Sequence, residues 1–402
     1  MGNIAYMNPG VTHLGYRHNA FPVSNLVPSD VENAVKLRFK TSVVVNRVVY
    51  IGNVEKTDLK GQVTVEEDAM YKSSVNKFDT FSSLRKIEAS IRDGDSIVHI
   101  EEYADRILQF KKNKMHLINV SQDIEFLEDT FVHKGVSHPA SVCKTDYGVA
   151  WANHLGCYLY DGQKVINLLE KSGRQIIKED EWDKFLRADK SLTGTRLNPM
   201  VGYVPKKRQL IVFDDITNTS TADPRMYLYD MVTQSWVKGA QDATSRQIDI
   251  VKTNFVTDWD NNLIYAHTTG QGNFRTWDDT SDESDTFYLQ TKDIDFGEPA
   301  VRKKIYKVYI SYRGNGSAVN IKYGVDGETD ESDAYQFNSD DTPLVDKSSA
   351  ANLESWHRAE LIPSTSSEAN NVYSFRLFFS GTAGATFEIN DISIVYRTKS
   401  VK

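Results

Sequence analysis

Cysteine is scarce in this chain of 402 residues. The two cysteines, Cys143 and Cys157, each lie in an apolar run typical of a strand. A disulfide would require a strand register that sets them opposite each other, and their spacing does not match a metal site. We therefore predict two buried free thiols, which fits assembly in a reducing cytoplasm.

Long apolar runs and long basic runs are also missing. No run approaches the roughly 20 apolar residues that a membrane-spanning helix needs, and the first residues contain no apolar core of a signal peptide. We expect no membrane anchoring. No run of Lys and Arg is longer than Arg302 to Lys304, in a chain of net charge −8. Because clustered basic residues supply most of the affinity for DNA phosphates, a conventional DNA-binding protein is excluded.

Motifs for catalysis and cofactor binding are absent from the sequence. The GQG segment at 270–272 lacks the strand-to-helix context of a phosphate-binding loop. No G-x-S-x-G nucleophile elbow occurs, and the nine histidines form no pair at the helical spacing of a zinc protease. We predict no catalytic, cofactor-binding or metal-binding residues, and a chain that is not an enzyme.

Aspartate pairs at turns leave one catalytic alternative open. Paired carboxylates can hydrolyse glycosidic bonds, and some five-bladed propellers are glycosidases. Aspartate also favours turns because it bonds its own backbone, so we prefer a structural role. The segment GVDGETDESD at 324–333 could hold calcium, but it lacks the ligand order of an EF-hand. The pairs are Asp214 with Asp215, Asp258 with Asp260, Asp278 with Asp279, and Asp282 with Asp285.

A repeated pattern dominates the chain between about residues 43 and 285. Each copy has an apolar strand, a charged turn, a second apolar strand and an Asp-rich turn. The copies lie at 142–168, 200–239 and 251–280, with weaker ones from Ile97 and Val43. A period in the forties with several short strands is typical of β-propeller blades. We predict an all-β chain with a β-propeller of five to seven blades over 43–285.

Two segments depart from this rhythm. Residues 1–42 carry several prolines and are predicted as an extended N-terminal arm, although 29–39 could instead form a short helix. Trp182, Phe185 and Leu186 have helical spacing, so we predict a helical insertion near 168–191 that packs on the propeller.

From about residue 286 apolar and polar residues alternate. In residues 387–396 the inward set shifts by one position at Asn390-Asp391, which indicates a β-bulge. We predict a β-sandwich of jelly-roll type over 286–402. The predicted inner rows are Tyr306, Val308, Ile310 and Tyr312; Val319, Ile321 and Tyr323; and Tyr373, Phe375, Leu377 and Phe379.

Several segments resemble structural proteins of tailed bacteriophages. Residues 284–316, which include TFYLQTKDIDFGEPAVRKKIYKVYISYRGNG, and residues 360–397, ELIPSTSSEANNVYSFRLFFSGTAGATFEINDISIVYR, are similar to tail nozzle, tail accessory or packaged-DNA stabilisation proteins. Residues 76–131 and 144–162 resemble the same group in marine phages. The resemblance covers most of residues 45–402.

The resemblance implies a subunit of a ring, commonly six-fold, below the portal and adaptor of a short tail. Such a hexamer would close or line the channel for DNA ejection. Its implied partners are adaptor or portal-proximal proteins, tail fibres or tailspike, and packaged DNA that passes without sequence-specific binding. It would reside in the virion tail after assembly in the bacterial cytoplasm. The alternative is a receptor- or glycan-binding virion protein, which exposed Trp and Tyr residues on the sandwich would support; Trp356 is the only Trp there.

Overall fold

The computed structural model divides the chain into two units, Met1–Asp279 and Thr280–Lys402. The predicted boundary, between residues 285 and 286, lies a few residues further along. Nearly all regular structure is strand, so the prediction of an all-β chain is confirmed. The structure describes residues 3–5, 36–57, 61–90, 93–122, 124–188, 193–214, 226–239, 255–266, 274–277, 285–338, 342–352, 355–383 and 387–399.

The described residues of the first unit form five antiparallel blades in which strands that are adjacent in the chain pair with each other. The first blade comprises β1 (Asn3–Ala5), β2 (Lys36–Val45), β3 (Val48–Thr57), β4 (Val63–Ser74) and β5 (Lys77–Ile87). The second comprises β6 (Ile97–Tyr103), β7 (Arg106–Lys111), β8 (Lys114–Asn119) and β9 (Phe126–Val132). The third comprises β10 (Val142–Thr145), β11 (Gly148–Asn153), β12 (Gly156–Tyr160) and β13 (Val165–Asn167). The fourth comprises β16 (Met200–Val204), β17 (Gln209–Phe213), β18 (Met226–Asp230) and β19 (Ser235–Gly239), and the fifth comprises β20 (Val256–Thr257), β21 (Leu263–Ala266) and β22 (Phe274–Thr276).

Consecutive blades pack face to face because their strands turn apolar side chains to both sides. Leu108 of the second blade and Trp151 of the third belong to one buried cluster. Leu159 of the third and Val212 of the fourth belong to another. The first and second blades, and the fourth and fifth, share clusters in the same way. This stack of short meander sheets is the β-propeller arrangement that the repeat predicts.

A hairpin and a short helix separate the third blade from the fourth, within the predicted insertion. They are β14 (Glu170–Lys171), β15 (Arg174–Gln175) and helix α1 (Glu179–Phe185). Trp182 is fully buried, and its indole nitrogen donates a hydrogen bond to the backbone oxygen of Asn153, 2.8 Å away. In the parts of the chain that the structure describes, no helix is long and apolar enough to span a membrane.

The predicted N-terminal arm over residues 1–42 needs a correction, because its last part belongs to the first blade. Residues 36–42 lie in β2, where Leu37, Thr41 and Val45 are buried and Lys40 is exposed. This alternation is that of a half-buried strand, and the upstream prolines obscured it in the sequence. Residues 6–35, with most of the arm and of the alternative helix, lie outside the described residues.

The second unit is a β-sandwich of two antiparallel sheets. One sheet has the order β23, β30, β25, β26, and in the other β24 pairs with β27, β28, β29 and β31. Val308 and Ile310 of one sheet meet Ile321, Phe375 and Phe379 of the other in a single core. The chain crosses between the two sheets from β23 to β24, β24 to β25, β26 to β27, β29 to β30 and β30 to β31. The strands are β23 (Asp285–Gln290), β24 (Lys303–Asn315), β25 (Val319–Val325), β26 (Tyr335–Gln336), β27 (Asp346–Lys347), β28 (His357–Leu361), β29 (Asn370–Val372), β30 (Phe375–Ala383) and β31 (Glu388–Thr398).

The predicted bulge in β31 is confirmed. Ser311 pairs with Asp391 and Tyr312 pairs with Ile389, so Asn390 is the extra residue. Because of this extra residue, Ile389 before the bulge and Ile392 after it both pack against the core, although they are three residues apart.

A second bulge corrects the predicted inner row of β24. Ile305 pairs with Tyr396 and Lys307 with Val395, which leaves Tyr306 as the extra residue. Ile305 therefore fills the core, and Tyr306 is partly exposed. Tyr373 also leaves its predicted row, because it precedes the first residue of β30 and is exposed.

Candidate interaction surface

Among the paired aspartates that the structure describes, Asp258 acts as a turn residue. Asp258 Oδ1 accepts hydrogen bonds from the backbone N–H groups of Asp260 and Asn262, at 2.9 and 2.7 Å. The bonds from Asn262 hold the pKa of Asp258 below its usual range. Asp214 is buried, and Asp285 is the first residue of β23. Asp215, Asp278, Asp279 and Asp282 lie outside the described residues.

The two cysteines are free thiols, as predicted. Cys143 pairs with Ala150 and Cys157 pairs with Ala152, on either side of β11, so the two thiols do not face each other. Cys157 is fully buried, and its burial raises the pKa of the thiol. Cys143 retains some exposure and is less buried than predicted. In the described ranges no group of three or more His, Cys, Asp or Glu is arranged to hold a metal ion.

One cluster of side chains of the types found in catalytic sites was not predicted from the sequence. Ser90 Oγ lies 2.8 Å from Lys111 Nζ, 3.2 Å from His116 Nε2 and 2.7 Å from Asp93 Oδ2. A serine paired with lysine or histidine can act as a nucleophile when the base is free to take the hydroxyl proton. The other ring nitrogen of His116 contacts the hydroxyl of Thr130 at 2.9 Å, where a serine–histidine triad has a carboxylate.

The charges in this cluster indicate a structural clamp. Lys111 is fully buried, and its ammonium donates to both oxygens of Asp93 at 2.9 and 3.0 Å. Burial alone would raise the pKa of Asp93, but hydrogen bonds from Lys114, Ser90 and Lys111 hold that pKa well below its usual range. Lys111 Nζ donates to both oxygens of Asp93 and to Ser90 Oγ, so it is a hydrogen-bond donor to Ser90 in this arrangement. The cluster therefore ties the segment after β5 to β7.

Among the cavities that described residues of the first unit line with side chains of both charges, two are the larger. The first has a volume of about 430 Å³ and contains the ion pair of Lys72 with Glu125. Glu125 also accepts a hydrogen bond from the Tyr50 hydroxyl. The second has a volume of about 450 Å³, and the Lys134 ammonium in it lies 3.6 Å from the centroid of the Tyr158 ring. The ammonium groups of Lys72 and Lys134 therefore contact side chains of the cavity walls. These contacts do not indicate a particular ligand.

The outer side of the sheet formed by β28, β24 and β31 has a more distinctive composition. Strand alternation places Lys307, Tyr309 and Arg313 outward, because Val308, Ile310 and Tyr312 face the core. We define the basic–aromatic face as Lys304, Tyr306, Lys307, Tyr309, Arg313, Trp356, Arg358, Glu360, Glu388, Asp391, Val395 and Arg397.

Stacked pairs of arginine and aromatic rings occupy the middle of this face. The guanidinium carbon of Arg358 lies 3.9 Å from the centroid of the Tyr309 ring. That of Arg313 lies 4.9 Å from the centroid of the Trp356 ring, and Trp356 is 45% exposed. Such cation–π contacts restrict the long arginine side chains before a partner binds. These side chains then lose less conformational entropy on binding.

Ion pairs order the same side chains further. Lys307 Nζ lies 2.6 Å from Glu360 Oε1, and Arg313 Nη2 lies 2.6 Å from Glu388 Oε1. The face carries five basic and three acidic side chains, whereas the whole chain has a net charge of −8. The face is therefore a locally basic surface on an acidic protein.

An acidic loop lies in the other sheet of the sandwich, between β25 and β26. Asp326 Oδ1 accepts hydrogen bonds from the backbone N–H groups of Tyr373 and Ser374, at 2.5 and 3.2 Å. Asp330 caps a short 3₁₀ turn by accepting from the backbone N–H of Ser332 at 2.9 Å. We define the acidic loop as residues 326–333, which contain Asp326, Glu328, Asp330, Glu331 and Asp333.

No protein-family model and no curated protein sequence matches this chain. Among solved structures, an exo-β-1,3-galactanase from Phanerochaete chrysosporium is similar at 8% identity and a TM-score of 0.27, covering 88% of this chain and 95% of that chain. The N-terminal domain of Nup159 is similar at 8% identity and a TM-score of 0.30, covering 86% and 89%. The WD40 domain of SCAP from fission yeast is similar at 10% identity and a TM-score of 0.22, covering 85% and 94%. These scores are too low to assign a function, and the fold assignment rests on the sheets themselves.

Proposed function

We propose that this chain is a structural protein of a bacteriophage tail, a subunit of the nozzle ring that closes or lines the DNA exit channel. The phage-type segments in the sequence supply the assignment to a tail. The observation that carries the proposal in the structure is the basic–aromatic face, because exposed Arg, Tyr and Trp are the residues enriched at protein–protein interfaces. A structural subunit needs such a face.

A position in the nozzle of the tail predicts the binding partners of this chain. Copies of the chain form a hexameric ring that contacts the adaptor or portal-proximal proteins above it and tail fibres or a tailspike around it. Packaged DNA passes through the ring. The net charge of −8 suits this role, because acidic groups repel phosphates and let the duplex slide, whereas a basic lining would hold it.

A comparison of virions made with and without the protein tests the proposal. Particles without a nozzle should package DNA and then lose it, measured as the fraction of genome that becomes accessible to nuclease. Particles that keep their genome but fail to adsorb to cells would show that the chain is a receptor-binding protein instead. The purified protein should show no turnover of glycoside substrates.

Receptor or glycan binding by the sandwich is the second candidate, and it is favoured by the exposed ring of Trp356 on the same face as Tyr309. Aromatic rings bind sugars through their open faces. Here Arg358 covers one face of Tyr309, and Arg313 lies over Trp356, so this geometry suits a protein partner better. Binding of purified protein to host-cell glycans that is lost in Trp356→Ala would establish the second candidate.

A further inference from the structure

We infer that the basic–aromatic face of one copy of this chain binds the acidic loop of the next copy in the ring. The inference rests on the proposed function, since it names the contact by which identical copies assemble. It commits to a second copy as the occupant of this sheet face, because the chain itself contains a surface of the complementary charge.

The basic–aromatic face has the features of a preorganised binding surface. Its two central guanidinium groups, those of Arg313 and Arg358, are held over aromatic rings. The guanidinium of Arg358, stacked on Tyr309, can still donate to a carboxylate oxygen through its edge, while Arg313 adds positive charge beside it and also donates to Glu388. The partner expected at this position therefore carries carboxylates on a well-ordered backbone.

The acidic loop meets that description. Asp326, Asp330 and Asp333 are exposed. Oδ1 of Asp326 accepts from the backbone N–H groups of Tyr373 and Ser374 outside the loop, while Oδ1 of Asp330 and Oε1 of Glu328 accept from N–H groups within it. These bonds order the loop and use one oxygen of each of these three carboxylates, and a guanidinium from another copy can bind the second oxygen.

The positions of the two surfaces decide the symmetry of the contact. The basic–aromatic face belongs to the sheet around β24, and the acidic loop joins β25 to β26 in the other sheet. Two copies related by a two-fold axis through the face would set basic groups against basic groups. Contact between different surfaces is heterologous, and a heterologous contact closes into a ring when its rotation divides a full turn. The charge distribution therefore disfavours a dimer whose two-fold axis passes through the face, and the ring itself follows from the proposed function.

Two complementary variants of the full chain test the contact. Arg313→Ala with Arg358→Ala removes the cations of the face, and Asp330→Asn with Asp333→Asn neutralises the loop without changing its size. Each double variant should weaken assembly by roughly tenfold or more per residue removed, as expected for interface hot spots. Mass photometry over a concentration series of each protein measures this loss.

Mixing the two variants provides the sharper measurement. The arginine variant retains an intact acidic loop, and the aspartate variant retains an intact basic–aromatic face. A 1:1 mixture can therefore form one complete contact between the two variants. It should give heterodimers that bind no third subunit. The matched control is Lys292→Ala with Lys322→Ala, which removes two basic side chains elsewhere in the second unit and should leave ring assembly unchanged. Thermal melts should agree among all variants, because the substituted side chains are not in the core.

The outcomes separate this inference from the proposed function. Rings that persist in both variants would overturn the contact and leave the nozzle proposal standing. A mixture that remains monomeric while wild type forms rings would also overturn the contact. Wild-type protein that stays monomeric at every concentration would count against the ring itself and remove both.

Discussion

Phe375 shows how much a single side chain contributes to the sandwich. It is fully buried, and its ring stacks on that of Tyr323 with centroids 5.5 Å apart. Phe375→Ala should lower the free energy of unfolding by about 3 to 5 kcal/mol, because it removes buried apolar surface and leaves a cavity. Denaturant unfolding measures this loss. Val345→Ala, at an exposed position, is the control, and an unchanged stability of Phe375→Ala would contradict the assignment of the core.

Asp93 carries a prediction about pH. Asp93→Asn should cost about 3 kcal/mol of stability at neutral pH, because it leaves the buried ammonium of Lys111 without its counter-charge. The pKa of Asp93 is depressed in the folded state, so its stabilising contribution is complete above its unfolded pKa of about 4 and is lost as the pH falls below that value.

Urea unfolding of wild type and Asp93→Asn between neutral and strongly acidic pH measures this dependence. The difference in stability between the two proteins should shrink as the pH falls. A difference that stays constant across that range would show that the carboxylate charge of Asp93 does not stabilise the fold.

At the scale of strands, the bulge in β31 allows a paired deletion test. Deleting Asn390 leaves Ile389, Asp391 and Ile392 in regular alternation, so the core residues keep their faces and the melting temperature should fall only slightly. Deleting Ser393 instead turns Ile394 toward solvent and should unfold the sandwich, because a one-residue slip reverses every later side chain. Equal melting temperatures for the two deletions would contradict the register of β31 with β24.

The division into two units predicts the pattern of limited proteolysis for the whole molecule. The polar sequence TSDESD at 280–285 lies at the boundary between Asp279 and Thr280. Cleavage there should release a resistant C-terminal fragment that begins near residue 285, because polar stretches between two cores are preferred sites of proteases. Mass spectrometry of the fragments identifies the site. Early cleavage within residues 305–325 would contradict the boundary.

Salt dependence tests the proposed assembly of the whole ring. A contact between guanidinium and carboxylate groups weakens as ions screen it, and the screening length falls from about 10 Å at 0.1 M salt to about 3 Å at 1 M. Rings present at 0.1 M NaCl should therefore dissociate toward monomers at 1 M, as measured by light scattering. Tighter assembly at high salt would indicate an apolar contact instead.

Local alternation and repeats in the sequence were enough to predict the class of fold. The period-two rows at Val319, Ile321 and Tyr323 depend only on neighbours along the chain, and all three residues are buried. The repeat predicted stacked blades for the same reason.

Only the tertiary structure decided which distant residues meet. Tyr306 leaves the core because β31 pairs with β24 around it, and that register depends on a partner strand far along the chain. Pairing of β28 with β24 brings Arg358 over Tyr309, and folding of the second blade brings Lys111 to Ser90 and Asp93. Strand register and strand order are set by the packing of the whole sheet, so the clamp at Asp93 and the basic–aromatic face follow from the fold and from no local motif.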